Sequence, residues 1–238
     1  MERGFSPTRP LGTLAVTNCP GRTEAGLTFV LREKNPRRKN ALMTPYREYK
    51  RLSSTCRNVT AVSWEGTVFR NAAPRHASAR DLVAGRGARR RGGRWNAPAT
   101  MNTVYASTTP ETALAEALRQ VRTAGIPDAE AMPRVLAAMR VRADRALDLT
   151  DPVVHRALGL SRAHLVNCDW ERANEAGKEA LTQALGRAAF EAGFKALIVP
   201  SAATPDGTNI VVFPARLEAG DRLAVLNAAK LPAQKRSP

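Results

Sequence analysis

Three local patterns in this sequence combine residue types that can do chemistry, and the first is a basic, glycine-rich segment over residues 85–96. Glycines let a backbone approach a ligand closely, and arginines bind phosphates through paired, permanently charged donors. The segment is compatible with a phosphate-binding loop, but taken alone its composition favours a solvated surface loop. It matches neither the P-loop nor the dinucleotide-binding fingerprint, because no Gly-Lys-Ser/Thr follows and no strand-to-helix turn is evident.

The second pattern pairs Tyr105, on a predicted strand, with Glu116 on the helix that follows. A carboxylate beside an aromatic ring can hold a sugar and the base that leaves it. The alternative is a core tyrosine next to a solvated helix glutamate. The third pattern is Pro200-Ser201-Ala202, directly after a buried strand. Active-site residues often follow strands, but an ordinary turn looks the same, and no His/Asp set accompanies Ser201 to make it a nucleophile.

The helix that carries Glu116 has a clear predicted start. Thr109 is a good N-cap and Pro110 suits the first helical position. One apolar stripe is predicted to be buried, and it consists of Leu114, Leu118 and Val121. At about 100° per residue, Glu116 lies about 200° around the helix from Leu114, so it is predicted to face a cleft.

The remaining periodicity predicts a mixture of strands and helices without strict βαβ alternation, which favours an α+β fold. A loop is predicted over residues 71–93, short helices and loops over 151–176, and a helix over 177–192 that stops at Gly193. The predicted strands cover residues 64–70, 104–107, 135–141, 146–149, 195–199, 209–213 and 222–226.

The two ends of the chain differ from this pattern. Residues 1–60 are rich in proline and contain a basic run at 37–39, which predicts a disordered or loosely attached extension. Two further interpretations are an over-extended reading frame whose true start is Met43 and a DNA-binding arm. A short apolar patch at 27–31 could form a strand. The catalytic domain is expected over residues 61–226, and a flexible basic tail over 227–238.

Composition limits the class of protein. The chain has 238 residues, of which 43% are hydrophobic, so one domain with a real core is expected. No apolar run is long enough to span a membrane and no signal-peptide core precedes the domain. The three scattered cysteines suit a reducing cytosol, and no Cys/His spacing indicates a metal site. We therefore expect a cytoplasmic protein that binds no metal.

The net charge of +16 is the strongest bulk signal. It is compatible with a nucleic-acid-binding protein, with an arginine-lined pocket for a phosphorylated small molecule, and with charges that are simply solvated. Net charge reports on association and not on fold, so it does not choose among the three.

Taken together and in order, the motifs resemble those of the RES family of toxins, which are named for an arginine, a glutamate and a serine. The resemblance covers about two-thirds of the chain and is most specific in its first half. It rests on Val68-Phe69-Arg70, Gly92-Gly93-Arg94-Trp95-Asn96, Val104-Tyr105-Ala106-Ser107, Ala113-Leu114-Ala115-Glu116, Pro200-Ser201-Ala202 and Asn209-Ile210-Val211-Val212-Phe213-Pro214.

This resemblance implies an ADP-ribosyltransferase-like fold, in which mixed sheets with flanking helices form a single catalytic domain that holds NAD in a cleft. Family members degrade NAD by hydrolysis or by phosphorolysis, and some relatives transfer ADP-ribose to a protein. NAD is then the substrate and not a cofactor, and inorganic phosphate is the co-substrate if the reaction is phosphorolysis. An Xre-type antitoxin is the expected partner.

The resemblance also assigns residues. Arg70, Glu116 and Ser201 are expected to be catalytic, with Glu116 holding the ribose and stabilising its positive charge as nicotinamide leaves. Ser201 is expected to hydrogen-bond the ligand. Three further residues are expected to bind substrate: Arg94 at the phosphates, Tyr105 against nicotinamide or the ribose, and Asn96. For Trp95, packing and ligand contact are about equally favoured.

Overall fold

A computed structural model describes residues 45–232 of the chain. The predicted strand at 27–31, the possible start at Met43 and the last six residues of the predicted tail lie outside the described residues. The helices are α1 (Pro45–Asn58), α2 (Ala79–Ala84), α3 (Arg86–Arg91), α4 (Pro110–Thr123), α5 (Pro152–Leu158), α6 (Arg162–Val166), α7 (Trp170–Glu175) and α8 (Leu181–Glu191). The strands are β1 (Val62–Ala72), β2 (Val104–Ser107), β3 (Val135–Asp148), β4 (Ala196–Pro200), β5 (Thr208–Val212) and β6 (Arg222–Val225).

The six strands form one mixed sheet in the order β1-β2-β5-β4-β3-β6. Strand β1 also pairs with β3, so the order closes on itself. Strands β3 and β4 run parallel, whereas the other pairs are antiparallel. A mixed sheet with flanking helices confirms the predicted α+β class.

Apolar side chains project from both faces of the central strands and form two core clusters. In β4, Leu197 and Val199 enter one cluster, while Ala196 and Ile198 enter the other. This alternation follows from the two-residue repeat of a strand. Both faces of β4 are therefore covered, which explains why its sequence is apolar at every position.

Helix α8 covers the first cluster and ends as predicted. The carbonyl of Ala189 accepts from the Phe194 amide at 3.1 Å, and that of Phe190 accepts from the Gly193 amide at 3.1 Å. Gly193 has φ +86°, the left-handed conformation that this helix end requires.

Helix α1 lies within the segment that was predicted to be an extension, and for residues 45–58 that prediction was wrong. Leu52 and Cys56 are buried in the first cluster, and the Arg187 guanidinium of α8 lies 3.5 Å from the centre of the Tyr49 ring. These side chains recur at helical spacing, a pattern that the prolines and basic residues before them obscure. The predicted tail is also shortened, because Leu231 packs against the second cluster.

Two further elements differ from the sequence prediction. Residues 71–93 are not one loop, since α2 and α3 lie within them. Strand β3 is continuous where two strands around a turn were predicted. It pairs with β1 along its length, and between Trp64↔Ala143 and Val62↔Ala146 it carries one extra residue. A bulge of this kind absorbs the polar Asp144 and Arg145 without ending the strand.

The buried Lys195, directly before β4, pairs with three carboxylates, one within β3 and two in the segment that precedes β6. Its Nζ lies 2.8 Å from Asp144, 2.9 Å from Glu218 and 2.8 Å from Asp221. Hydrogen bonds to these carboxylates, that to Asp144 first, raise the pKa of Lys195. Burial alone would raise the pKa of Asp221, but hydrogen bonds from Lys195 and from two backbone amides lower it below its ordinary value.

This cluster predicts a defined acid dependence of stability. The Asp221 carboxylate stabilises the folded state fully above its unfolded-state pKa of about 4, and that contribution is lost as pH falls through the lower folded-state pKa. A Lys195→Met variant should therefore lose more stability at pH 7 than at pH 3, as measured by urea unfolding at both pH values. Lys178→Met, at an exposed lysine, is the control. A deficit for Lys195→Met that is equal at both pH values would contradict this account.

Candidate functional site

A cleft of about 210 Å³ lies beside the last three residues of β2 and the glutamate face of α4. We call it the cleft, and it is lined by Phe69, Arg70, Asn71, Gly87, Ala88, Arg91, Gly92, Gly93, Arg94, Tyr105, Ala106, Ser107, Ala113, Glu116, Ala117, Arg119, Gln120, Trp170, Glu171 and Asn209. Four arginines and two glutamates are among these residues. The lining is thus net positive and suits an anionic ligand.

Glu116 reaches the cleft because of the way α4 packs. Thr109 caps the helix, its Oγ1 accepting from the Thr112 amide at 3.1 Å, as predicted. The predicted buried stripe was wrong, however, since Leu114 is 38% exposed whereas Ala113 and Ala117 are buried. Small alanines let the helix lie close to the sheet, and Glu116, next to Ala117, is carried to the rim of the cleft.

One oxygen of the Glu116 carboxylate is held by three donors. Oε1 accepts from the Ser201 hydroxyl at 2.6 Å, the Asn209 side-chain amide at 2.7 Å and the Ala202 backbone amide at 3.1 Å. Among residues 45–232, no hydrogen bond is made to Oε2. The carboxylate is therefore fixed in orientation, with one oxygen committed to the protein.

Ser201 supports the glutamate from behind and is not part of the cleft lining. It is 2% exposed, and its Oγ accepts from the amides of Ala203 at 3.0 Å and Thr204 at 3.1 Å while donating to Glu116. The direct ligand contact expected of Ser201 is thus not what the geometry provides. Its hydroxyl is used to orient Glu116.

Asn209 was missed as a site residue by the sequence analysis, although its segment belongs to the motifs. Its Oδ1 accepts from the buried Ser107 hydroxyl at 2.7 Å, so its Nδ2 must point at Glu116. Ser107 lies opposite Asn209 on β5 and opposite Phe69 on β1. Only the strand register brings these residues together, and a single sequence carries no signal for that register.

The two expected arginines both line the cleft and are held by backbone carbonyls. Arg70 Nη1 donates to the Tyr105 carbonyl at 2.9 Å. Arg94 Nη1 donates to the carbonyls of Leu165 at 3.1 Å and Cys168 at 2.8 Å. Neutral acceptors orient a guanidinium without cancelling its charge.

Burial makes both arginines costly to leave without an anion. It lowers the pKa of Arg70 to about 10, and burial followed by repulsion from Arg119 lowers the pKa of Arg94. A guanidinium is protonated at neutral pH, so both side chains carry a positive charge. The Nη2 of Arg94 is buried and has no hydrogen-bond partner among the described residues. A buried, unpartnered donor of this kind is unusual in a folded protein and is typical of a ligand site.

Tyr105 contacts both arginine-bearing segments, because its carbonyl accepts from Arg70 and its hydroxyl bonds the residues that follow Arg94. Burial raises the pKa of this hydroxyl. Its hydroxyl accepts from the Trp95 amide at 3.0 Å and donates to the Asn96 Oδ1 at 2.8 Å. A Cβ on Gly93 would lie 2.6 Å from that hydroxyl, so the close approach requires glycine there. Only the ring of Tyr105 is left for a ligand, since its hydroxyl is engaged by the protein.

Asn96 and Trp95 lie behind the cleft and not in it. Asn96 is fully buried and donates from Nδ2 to the Ala88 carbonyl at 2.9 Å. Substrate contact through Asn96 is therefore not supported by its position. Trp95 is 2% exposed and belongs to the first core cluster, which makes it a packing residue.

Helix α8 supplies two supporting residues that the sequence analysis did not single out. Gln183 donates from Nε2 to the carbonyls of Gly93 at 3.0 Å and Asn96 at 3.3 Å. Gly186 lets the helix backbone approach Trp95, because a Cβ there would lie 2.0 Å from the Trp95 carbonyl oxygen. The segment that carries Arg94 is thus fixed against α8.

Among residues 45–232, no group of three or more His, Cys, Asp or Glu side chains is arranged to hold a metal ion. Within the same residues, no helix combines the length and apolar character needed to cross a membrane.

Comparison with known proteins finds relatives of this chain. A family model described as the RES domain matches residues 67–234. The NAD(+) phosphorylase MbcT of Mycobacterium tuberculosis is 28% identical over 153 residues, which cover 63% of this chain and 74% of that protein, and the values for MbcT of Mycobacterium bovis are the same. Among solved structures, the M. tuberculosis MbcT–MbcA toxin–antitoxin complex matches with a TM-score of 0.55 and 25% identity, over 76% of this chain and 93% of that chain.

Proposed function

The chain belongs to the RES-domain family, and on that premise we propose that it cleaves the nicotinamide–ribose bond of NAD and transfers the ADP-ribosyl group to inorganic phosphate. The observation that carries the proposal is the pairing of Glu116, held through one oxygen only, with two carbonyl-held arginines in one cleft. The relationship to an NAD(+) phosphorylase supports phosphate as the acceptor.

The reaction balances without a further reactant. The bond between the ribose C1′ and the nicotinamide nitrogen breaks, and its electron pair neutralises the nicotinamide ring. A phosphate oxygen then forms a bond to C1′, which gives nicotinamide and ADP-ribose 1″-phosphate. With water as the acceptor, the products are nicotinamide, ADP-ribose and a proton.

Glu116 would act where positive charge develops. As the ribose becomes oxocarbenium-like, a nearby carboxylate stabilises it more strongly than it stabilises the ground state. The donors on Oε1 keep Glu116 oriented, so no reorganisation is needed during the reaction. Ser201 and Asn209 take the role of positioning residues in this mechanism.

The arginines would divide the anionic groups between them. The pyrophosphate of NAD carries two negative charges, and an attacking phosphate adds further charge. Arg70, Arg91, Arg94 and Arg119 all line the cleft, so positive charge is present for both. The unpartnered Nη2 of Arg94 would gain an acceptor from either phosphate group.

We also propose that this activity makes the chain the toxin of a toxin–antitoxin pair, because a structural relative is part of such a complex. An Xre-type antitoxin is the expected partner, and it would neutralise the toxin by covering the cleft. On this proposal, expression of the chain alone depletes cellular NAD and stops growth.

The test is NAD consumption by purified protein with and without inorganic phosphate. Consumption that requires phosphate, with ADP-ribose 1″-phosphate as the product, is the expected result. Consumption without phosphate would replace phosphorolysis by hydrolysis. Intact NAD in both reactions, from folded protein, would overturn NAD cleavage and turn attention to ADP-ribosyl transfer or to nucleic-acid binding.

A further inference from the structure

The described tryptophans differ in what their rings do for the fold. Trp95 is 2% exposed and lies in the first core cluster, and Trp64 packs against the second. Trp170 belongs to neither cluster and lines the cleft instead. Its ring is thus not explained by packing of the core.

The contacts of Trp170 leave its ring available. Among residues 45–232, its indole N–H makes no hydrogen bond, and no aromatic or cationic group stacks on the ring. The side chain is only half-buried. A large aromatic surface on the wall of a charged cleft is typical of a ligand contact, because apolar and aromatic side chains provide most of the area in small-molecule sites.

The turn that presents Trp170 is the same turn that holds Arg94. The Cys168 carbonyl accepts from Arg94 Nη1 at 2.8 Å, and Trp170 begins α7 two residues later. Asp169 caps this helix, its side chain accepting from the Arg172 amide at 3.1 Å. The backbone that carries the Trp170 ring is therefore fixed relative to the Arg94 guanidinium. A nucleotide needs this combination, with an aromatic face for its base and a charged donor for its phosphates.

We propose that Trp170 is a substrate-binding residue that stacks on a base of NAD while Arg94 holds the adjoining phosphates. This inference rests on the proposed function and deepens it, since it names the surface that selects a dinucleotide. Nicotinamide and adenine are both planar heteroaromatic rings, and fragments that carry one or the other distinguish them. Loss of one base–aromatic stack weakens binding by about tenfold to a hundredfold.

Steady-state kinetics of the full chain tests the catalytic consequence. Trp170→Ala is expected to raise KM for NAD by about tenfold or more with a smaller change in kcat, and Trp170→Phe is expected to restore most of the affinity. Trp64→Phe, which alters a tryptophan outside the cleft, is the matched control and should behave as the parent protein. A KM for Trp170→Ala equal to that of the parent protein would overturn the inference while leaving NAD cleavage intact.

Tryptophan fluorescence tests binding without turnover. In a Glu116→Ala background, NAD should quench the emission, and the quenching should vanish with Trp170→Phe but persist with Trp64→Phe. Adenosine monophosphate and nicotinamide mononucleotide are the two fragment probes, and whichever quenches identifies the stacked base. Quenching that survives Trp170→Phe, or no quenching by any of the three ligands, contradicts the inference. If quenching depends on Trp170 but the parent protein consumes no NAD, the stack is supported and the proposed reaction is overturned.

Discussion

A Glu116→Gln variant is expected to cleave NAD at least about a hundredfold more slowly in kcat than the parent protein, with its fold unchanged. The three donors on Oε1 would hold the oxygen of the glutamine side chain in the same place. The amide nitrogen then takes the position of Oε2. Shape and hydrogen bonds are retained, whereas the negative charge that stabilises the oxocarbenium-like ribose is lost.

Initial rates of nicotinamide release measure this effect, and circular dichroism checks the fold. Glu111→Gln is the matched control, because Glu111 lies on the same helix, is exposed and is not part of the cleft lining. In the same assay, Ser201→Ala should lose less, about tenfold, because two of the three donors on Oε1 remain. A Glu116→Gln protein that keeps a tenth or more of its kcat would rule out the electrostatic role.

The second large effect is on stability, and it comes from a residue outside the cleft. Gly186→Ala should lower the free energy of unfolding by about 2 kcal/mol or more. The added Cβ would lie 2.0 Å from the Trp95 carbonyl oxygen and 2.9 Å from its carbon. These are backbone atoms and cannot rotate away, so the gain in helix propensity of about 1 kcal/mol is outweighed.

Urea unfolding measures the change, with Gly87→Ala as the control. At Gly87, also in a helix, a Cβ meets only the end of the Arg91 side chain at 3.9 Å, and a neutral or slightly stabilising effect is expected. The surviving folded fraction of Gly186→Ala should also bind NAD more weakly, because Arg94 adjoins the displaced Trp95. Equal stabilities of the two variants would contradict the close approach.

The elements that carry the motifs could be predicted from the sequence because their signals are local. Residues 104–107 begin with the strand-forming residues Val104 and Tyr105, and Thr109-Pro110 marks the start of α4. Gly193 marks the end of α8 by its left-handed conformation. In each case a few adjacent residues contain both the signal and its physical cause.

The elements that were predicted wrongly are those decided by distant contacts. Helix α3 has no apolar stripe, and it forms because another segment holds it: the Asn96 side chain donates to the Ala88 carbonyl at 2.9 Å, and the Ala99 amide donates to the Arg89 carbonyl at 2.7 Å. Gly85, which precedes this helix, is in the left-handed conformation. A Cβ added at Gly85 would lie only 2.6 Å from the backbone nitrogen of Thr103. None of these contacts can be read from the composition of the segment.

The candidate site divides in the same way. Motif resemblance led to Arg70, Arg94, Tyr105 and Glu116, all of which line the cleft. It could not tell a ligand contact from a residue that supports one, so Ser201 and Asn96 were assigned direct contacts that their buried positions do not provide. That distinction depends on which way each side chain points after the strands have paired.

The carbonyl-held arginines have a consequence for how the protein and its ligand share free energy. Had carboxylates oriented Arg70 and Arg94, a bound anion would have had to compete with them for the same charge. Peptide oxygens supply direction alone, so the charge of both guanidinium groups stays available to an anion. On the proposed function, part of the affinity for a phosphorylated ligand would therefore come from donors that the fold has already oriented before binding.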